Sequence, residues 1–266
     1  LDLLASVSTV FDQYYVGSFP TLPNRRDMAL GHGQPDNAFN DWKRIEPYET
    51  TLAQRLEREK KIHSMMINDT RNSVTGEMNF FKGFSGYEVN RGQEGDGWIS
   101  DFATPLEFPV EPHLIRYKPE MWHRCLMNRA AWRHEEDFFA PRTFKMAGEW
   151  LERNYKREDF FLWVETFDPH EPWDPPQWYV DMYDPGYTGR FFGSPTYGVH
   201  KEYGITDREA KNIHACYCGE VTMIDSAVGR LMHTLEKLGI LNETNIVFTT
   251  DHGTCMSQEG DGGVIG

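Results

Sequence analysis

The feature that most constrains the fold of this chain is a strand, a long helix and a second strand in its C-terminal half. Residues 160–164, Phe-Phe-Leu-Trp-Val, form a continuous apolar run typical of a strand buried on both faces. The capping-box pattern Thr-Asp-Arg-Glu at 206–209 precedes apolar residues that recur every three or four positions over 213–238, before Gly239. Residues 245–250, Asn-Ile-Val-Phe-Thr-Thr, predict a further buried strand. This alternation predicts an α/β fold with a doubly wound, mainly parallel sheet flanked by helices.

The remaining sequence adds shorter elements to this frame. Its patterns predict a helix over 50–62, a strand over 64–68 and a helix from Pro141 to about residue 155. The segments 71–119 and 172–204 are predicted to be mostly loop, because they are rich in Gly, Pro, Asn and aromatic residues. We interpret residues 1–266 as one α/β domain. The chain begins Leu-Asp-Leu-Leu and stops just after a Gly-rich segment, so we expect it to be truncated at both ends.

Composition excludes some classes of partner. The chain has 27 Lys and Arg against 41 Asp and Glu, a formal net charge of −14, which disfavours general binding to nucleic acid. A small anionic substrate stays possible, because a local metal or arginine can oppose the global charge. No run of apolar residues is long enough to predict a membrane-spanning helix. Oligomeric state stays open.

In parallel sheets the chemistry lies beyond the carboxyl ends of the strands, and three polar clusters take such positions. Asp251-His252-Gly253 offers an oxygen and a nitrogen ligand at the end of the predicted strand 245–250. For this dipeptide alone, a plain strand-to-loop turn is the simpler interpretation. If it binds a metal, the imidazole favours Zn, Mn or Fe over a cage built for Ca or Mg.

The second cluster follows the apolar run at 160–164. His170 stands between Pro169 and Pro172 in a rigid turn. A histidine that is preorganised at a strand end is suited to general acid catalysis or anion binding. The alternative is a turn histidine held by local hydrogen bonds.

The third cluster places the hydroxyl of Thr21 four residues before Arg25, with a helix expected to start after Pro23. A helix N-terminus beside a guanidinium is an anion site, where Thr21 is a candidate nucleophile and Arg25 a candidate anion ligand. The alternative is an N-capped helix, because Thr is a good cap and Pro a good residue of the first turn.

Taken in order, these clusters resemble the sulfatase family of the alkaline phosphatase superfamily. The similarity lies in Phe-Leu-Trp-Val-Glu-Thr-Phe-Asp-Pro-His-Glu-Pro-Trp at 161–173, in the segments 217–225 and 246–253, and in Pro-Thr-Leu-Pro-Asn-Arg at 20–25. The resemblance implies a metal-assisted hydrolase of sulfate or phosphate esters that acts on a small anionic ester substrate. It also implies a divalent metal, either Ca, Mn or Zn.

The resemblance also assigns roles to the cluster residues. Thr21 falls where the family has the Cys or Ser that is oxidised to formylglycine, and Arg25 matches the arginine of that motif. Asp251 and His252 match two metal ligands. His170 matches the histidine that meets the ester oxygens and protonates the leaving group.

Departures from the family pattern keep three functions open. Thr21 cannot become formylglycine, because its extra methyl group blocks an aldehyde, whereas Thr nucleophiles occur among phosphodiesterases of the superfamily. Two early acidic metal ligands of the family lie upstream of Leu1, and histidines of relatives are missing within 69–72 and 259–263. The chain is therefore interpreted as a sulfuric ester hydrolase-like domain whose site is incomplete. The alternatives are a phosphodiesterase or phosphonate monoester hydrolase with a Thr nucleophile, or a non-catalytic member that binds an anion or a partner.

Overall fold

The computed structural model describes residues 1–31, 42–74, 77–101, 103–105, 107–157, 159–256 and 263–266. Within them the chain forms the following α-helices and β-strands in sequence order: α1 (Asp2–Ser6), α2 (Thr21–Leu30), α3 (Leu52–Arg55), β1 (His63–Asn68), α4 (Arg71–Val74), β2 (Gly86–Val89), α5 (Pro119–Arg129), α6 (Phe139–Asn154), β3 (Phe160–Glu165), α7 (Gln177–Val180), β4 (Gly198–Val199), α8 (Asp207–Lys237) and β5 (Val264–Ile265).

The chain divides into two compact units, which are described separately. The first comprises Leu1–Val89, Met146–Glu165 and Val228–Gly253. The second comprises Asn90–Lys145, Thr166–Ala227 and Thr254–Gly266. The interpretation of 1–266 as one domain stays a prediction.

The first unit contains the parallel sheet that the sequence predicts. Its strands lie in the order β2–β1–β3, and both pairings are parallel. Met66 of β1 pairs with Tyr87 of β2 on one side and with Trp163 of β3 on the other. The prediction of a mainly parallel sheet flanked by helices is confirmed.

Alternate residues of β3 point to opposite faces of this sheet, as the two-residue period of a strand requires. Leu162 packs into an apolar cluster with Leu151 of α6 and with α8 residues. On the other face Phe161 and Trp163 contact the ring of Phe84, with centroid distances of 5.8 and 6.3 Å. Both faces are therefore in contact with apolar side chains.

The prediction that β3 is fully buried is wrong in one respect. Each of its six residues remains partly exposed. Among the described residues no strand pairs with the outer side of β3, so it is an edge strand of the sheet. Its outer edge consequently stays open to solvent.

The predicted strand at 245–250 is also wrong in the structure. The segment carries no strand, and Ile246, Val247 and Phe248 are 39%, 87% and 55% exposed. A strand needs a hydrogen-bonded neighbour, and none of the described strands pairs with this segment. Its apolar residues therefore find no surface against which to bury.

The helix predictions are confirmed, with small shifts at the ends. The predicted helix over 50–62 begins at Leu52 and continues beyond α3 as the π-helical turn Leu56–Lys60. The capping box at the start of α8 forms, because the Thr206 hydroxyl accepts from the Glu209 amide (3.2 Å) and the Glu209 carboxylate accepts from the Thr206 amide (2.8 Å). The described helices include none with the length and hydrophobicity that a bilayer crossing would need.

The second unit is built around the turn that follows β3. Trp173 at the end of this turn is fully buried in the apolar core of the unit. Its backbone amide donates to the Gly193 carbonyl (2.6 Å), and its indole nitrogen donates to the Pro169 carbonyl (2.9 Å). The indole thus fixes the path of the chain around His170.

Carboxylates on both sides of His170 anchor the same turn. Asp168 accepts from the Gln93 amide side chain (2.7 Å), and Asp174 forms an ion pair with Arg129. The Asp174 amide donates to Glu220 (3.0 Å), a buried carboxylate of α8. Asp168, Asp174 and Glu220 therefore share one poorly solvated region, in which Arg129 pairs with Asp174.

We expect the Thr206→Ala substitution to destabilise the protein by about 1 kcal/mol, because it removes the acceptor for the first-turn amide of α8. Urea denaturation monitored by circular dichroism measures this difference. Thr188→Ala is the matched control, since Thr188 is exposed and lies outside regular structure. Equal stability of the two variants would contradict a stabilising role for the capping box.

We also expect Asp174 to make stability depend on pH. Burial raises the pKa of Asp174 to about 6, with a further contribution from Asp168 and opposition from Arg129, whereas an unfolded aspartate titrates near ~4. The folded protein therefore keeps a proton that the unfolded chain releases. This contribution to the free energy of unfolding is complete below about pH 4 and is lost as pH rises through about 6.

The measurement compares the free energy of unfolding of the wild type and of Asp174→Asn from about pH 4 to about pH 7. The variant cannot titrate at this position, so the wild type should lose stability relative to it as pH rises. Asp181→Asn, which alters an exposed aspartate, is the control. Parallel pH profiles for the wild type and Asp174→Asn would contradict the expectation.

Candidate functional site

The candidate nucleophile lies at the first residue of α2. The helix begins at Thr21, earlier than the expected start after Pro23, and its N-cap position is Pro20. Pro23 is tolerated there because amides of the first turn have no partner within the helix. Thr21 is buried, and among the described residues its hydroxyl neither caps the helix nor makes a hydrogen bond. An N-cap role therefore does not account for Thr21.

Arg25, one turn along α2, is the centre of the site in the first unit. Its Nε donates to Glu165 Oε1 (2.6 Å), and its Nη1 donates to Asp251 Oδ2 (2.6 Å) and to the Thr21 carbonyl (3.3 Å). Burial acts to lower the pKa of Arg25, but Glu165 and then Asp251 outweigh it and raise that pKa above the usual arginine value. The guanidinium therefore stays charged and tied to two carboxylates.

Glu165 contacts the candidate site and was not singled out by the sequence analysis. It is the last residue of β3, and its Oε2 also accepts from the Trp163 indole (3.2 Å). A carboxylate that ends an apolar strand on the carboxyl side of a parallel sheet was the available signal. Its pairing with Arg25, 140 residues away along the chain, had no local signal.

Asp251 and His252 lie together just after the extended segment 245–250. Asp251 Oδ1 accepts from the His252 amide (3.0 Å), and its Oδ2 is 3.5 Å from His252 Nε2. His252 Nδ1 is 2.8 Å from the Gly253 carbonyl, so this nitrogen carries a hydrogen. The imidazole also meets the Phe19 ring edge-on, with centroids 4.8 Å apart.

The first unit thus gathers four of the five residues that the sequence singled out. Arg25 contacts the backbone of Thr21 and the carboxylate of Asp251, and His252 adjoins Asp251. With Glu165 at the end of β3, three separate segments meet at this arginine side chain. Their catalytic and metal-binding roles stay predictions.

The donor set at Asp251 and His252 meets only part of what a metal site requires. A carboxylate and an imidazole are suitable ligand types, and catalytic zinc sites typically use about three protein ligands. Both oxygens of Asp251 already accept hydrogen bonds from protein groups. Over the part of the chain that the structure describes, no cluster of three or more His, Cys, Asp or Glu could hold a metal ion. The ligand types fit, but the number of ligands falls short.

Ser18 provides the nearest comparison for Thr21. Its hydroxyl is buried and donates to Asp27 Oδ2 (2.7 Å). This hydrogen bond commits the Ser18 hydroxyl to α2, whereas the Thr21 hydroxyl has no such commitment. Of the two hydroxyls, Thr21 is therefore the one that is not held by a protein acceptor within the described residues.

His170, the fifth predicted residue, belongs to the second unit. Its ring stacks on Phe167 with centroids 4.0 Å apart, and its Nδ1 is 2.9 Å from the carbonyl oxygen of Glu171. The Glu171 carboxylate Oε2 is 3.2 Å from the same nitrogen. His170 is therefore oriented by the residue that follows it.

The sequence and the fold of this chain were compared with those of known proteins. The Sulfatase family profile matches residues 1–263. An arylsulfatase of Clostridium perfringens is 24% identical to this chain over an alignment 294 residues long. The alignment covers 97% of this chain and 58% of the relative.

Two solved structures are similar in fold. The phosphonate monoester hydrolase of Agrobacterium radiobacter has a TM-score of 0.62 at 17% identity, over 92% of this chain and 55% of that one. A protein solved in complex with its substrate D-glucosamine-2-N,6-O-disulfate has a TM-score of 0.61 at 15% identity, over 96% and 60%.

These matches share one fold, and this chain covers a similar share of each relative's length. The chain spans a little over half the length of the relatives named here, between 55% and 60%. The two solved structures share the parallel sheet flanked by helices that characterises the alkaline phosphatase and sulfatase fold. Because the family profile covers almost every residue, this chain belongs to the Sulfatase family.

Proposed function

We propose that the full-length protein is a hydrolase of sulfate esters or related phosphate esters, with Thr21 as its nucleophile. The observation that carries the proposal is the position of Arg25. This guanidinium contacts the residue that bears the nucleophilic hydroxyl and the carboxylate of Asp251 at the same time. Such an arrangement fixes a nucleophile and a positive charge next to one another, as the transfer of an anionic group requires.

The N-terminus of α2 supports attack by Thr21 on an anionic ester. The first-turn amides of a helix carry a partial positive charge and attract anions. Thr21 lies in that turn of a ten-residue helix, and its hydroxyl makes no hydrogen bond within the described residues. No hydrogen bond to a described protein group therefore has to break before the deprotonated hydroxyl attacks.

The charge of the site indicates what else the reaction needs. Arg25 contributes one positive charge, while Glu165 and Asp251 contribute two negative charges. An anionic ester would be repelled by this net charge unless a cation is added. Members of the family generally use a divalent metal such as Ca, and we propose that Asp251 and His252 contribute two of its ligands. When bound, such a metal stabilises the charge on the transferred group.

His170 is the proposed proton donor. An ester oxygen that leaves as an alkoxide is a poor leaving group, and an imidazolium beside it supplies the proton. The rigid turn between Phe167 and Trp173 holds the ring in one orientation.

A second candidate function is the hydrolysis of phosphodiesters or phosphonate monoesters, and the identity of Thr21 favours it. A formylglycine hydrate can expel sulfate by breaking its own C–O bond, whereas a sulfated Thr cannot. A sulfate monoester on Thr21 would therefore tend to persist. A phosphoryl group on Thr21 can be removed by water that attacks phosphorus. The fold supports such chemistry in principle, since the phosphonate monoester hydrolase of Agrobacterium radiobacter shares it.

We expect Thr21→Ala to abolish turnover of aryl phosphodiester, aryl phosphonate and aryl sulfate by the full-length protein. Thr21→Ser should restore part of the activity, because it keeps the hydroxyl. Initial rates with chromogenic esters measure both effects. The wild type should prefer the phosphorus esters to the sulfate ester, for which a covalent intermediate on Thr21 would stall.

Ser18→Ala is the matched comparison, since it removes the neighbouring hydroxyl. Sustained sulfate turnover with Thr21→Ala near the wild-type rate would show that Thr21 is not the nucleophile. Activity lost in Ser18→Ala but kept in Thr21→Ala would assign the attack to Ser18. No turnover of any ester by the wild type would favour the non-catalytic alternative, in which the site binds an anion or a partner.

We expect the 266-residue chain to bind Ca, Mn or Zn weakly, because Asp251 and His252 are two ligands where about three are typical. Isothermal titration calorimetry with each metal measures the affinity. Asp251→Ala should change little in this chain, and exposed Asp181→Asn serves as the control. Submicromolar binding that is lost in Asp251→Ala but kept in Asp181→Asn would show that the chain holds a more complete site.

A further inference from the structure

His170 in the second unit lies at the end of a connected network of polar side chains. The side chain of His170 is 18% exposed, and its ring lies flat against Phe167. The backbone amide of His170 donates to the Phe167 carbonyl (3.0 Å), which closes the turn. Ring and backbone are both fixed, so the direction of the two ring nitrogens is fixed as well.

Glu171 defines the tautomer of this ring. The Glu171 carbonyl oxygen lies 2.9 Å from His170 Nδ1, and a carbonyl can only accept a hydrogen bond. His170 Nδ1 therefore carries a hydrogen in both the neutral and the protonated ring. Neutral His170 has an unprotonated Nε2, and the imidazolium has a proton there that can be transferred.

The carboxylate of Glu171 adds a charge beside the same nitrogen. Its Oε2 is 3.2 Å from His170 Nδ1, and the side chain of Glu171 is 2% exposed. A carboxylate at this distance favours the imidazolium over the neutral ring, and the effect is strong where water is excluded. Glu171 thus acts on His170 through two of its oxygens, one from the backbone and one from the side chain.

Glu171 is itself held by residues distant in sequence. Its Oε1 accepts from the Tyr197 hydroxyl (2.6 Å) and forms an ion pair with Arg116. The Tyr117 hydroxyl contacts both the Glu171 carbonyl (2.9 Å) and Glu94 (3.1 Å). Burial raises the pKa of Tyr197 to about 12 and that of Tyr117 well above the usual tyrosine value. Both hydroxyls therefore remain donors at neutral pH.

Arg116 balances the charge of the network. Its guanidinium lies over the Tyr197 ring at 4.3 Å and near the Tyr117 ring at 5.7 Å. When His170 is neutral, Arg116 still pairs with Glu171, so the buried carboxylate is not left alone. When His170 is protonated, Glu171 lies between two cations. Both protonation states of His170 are accommodated, as a residue that gives and regains a proton requires.

We propose that Glu171 is a positioning residue that holds His170 as the Nδ1–H tautomer and stabilises its protonated form for proton transfer from Nε2. This inference rests on the proposed function. In the step, the Thr21 oxygen, whose proton has gone to solvent, forms a bond to the central atom of the ester as the bond between that atom and the leaving oxygen breaks. The electron pair of the broken bond goes to the leaving oxygen. The leaving oxygen takes the proton from Nε2, and His170 is left neutral with its hydrogen on Nδ1.

The first test follows the His170 ring directly in the full-length protein labelled with ¹⁵N-histidine. The ¹⁵N chemical shifts of the ring nitrogens should show that neutral His170 in the wild type is the Nδ1–H tautomer. Glu171→Gln preserves the shape but removes the charge, so the titration midpoint of this ring should fall by roughly one pH unit. Glu120→Gln removes an exposed charge from the same unit and should leave the midpoint unchanged.

The second test uses esters with leaving groups of different basicity. Loss of the charge beside His170 should lower kcat/KM for alkyl esters by roughly 10²-fold and for nitrophenyl esters far less, because only poor leaving groups need the proton. The basic limb of the kcat/KM profile should move to lower pH in Glu171→Gln. Tyr197→Phe removes the hydroxyl that holds Glu171 Oε1, so it should also change the profile, and it serves if Glu171→Gln does not fold.

The outcomes separate the inference from the proposed function. A wild type that hydrolyses no ester would overturn the proposed function, while the ring titration would still show whether Glu171 controls His170. An active wild type with unchanged ring titration and pH profile in folded Glu171→Gln would overturn the role of Glu171 alone. An Nε2–H tautomer of neutral His170 would also overturn it.

Discussion

The first unit depends on one buried guanidinium. Arg25 reaches from α2 to Glu165 at the end of β3 and to Asp251 beyond residue 250, with a donor–acceptor distance of 2.6 Å in each case. A guanidinium held out of water is costly unless it is paired, and the buried Arg25 is paired with two carboxylates that remain partly exposed. Loss of Arg25 would remove the partner that both carboxylates share, so the guanidinium holds the three segments in their relative positions.

This constraint explains why Thr21 is available. Because Arg25 also contacts the Thr21 carbonyl (3.3 Å), the first turn of α2 is held in place through its backbone. The side chain of Thr21 is thereby left out of the network, whereas the Ser18 hydroxyl is engaged by Asp27. The same network leaves the site with more negative than positive charge. A hydroxyl outside the network and an excess of negative charge therefore follow from one arrangement.

In the second unit, an imidazole and a buried carboxylate lie next to one another. Glu171 contacts His170 Nδ1 from the adjacent position, and Arg116 and Tyr197 hold Glu171 in turn. A buried carboxylate with only one cationic partner would be destabilised whenever that partner became neutral. Because Arg116 is always charged, protonation and deprotonation of His170 both leave Glu171 compensated.

Local pattern alone determined β1, β3, α6 and α8, because hydrophobic period and capping residues act within a few positions along the chain. It also singled out Thr21, Arg25, His170, Asp251 and His252, since polar residues that follow apolar runs form a local signal. The partners Glu165 and Arg116 were beyond its reach, because an ion pair depends on distance in space and not on separation in sequence. The segment 245–250 shows the same limit: its apolar residues have the pattern of a strand, but only a hydrogen-bonded neighbour in the tertiary structure can make them one.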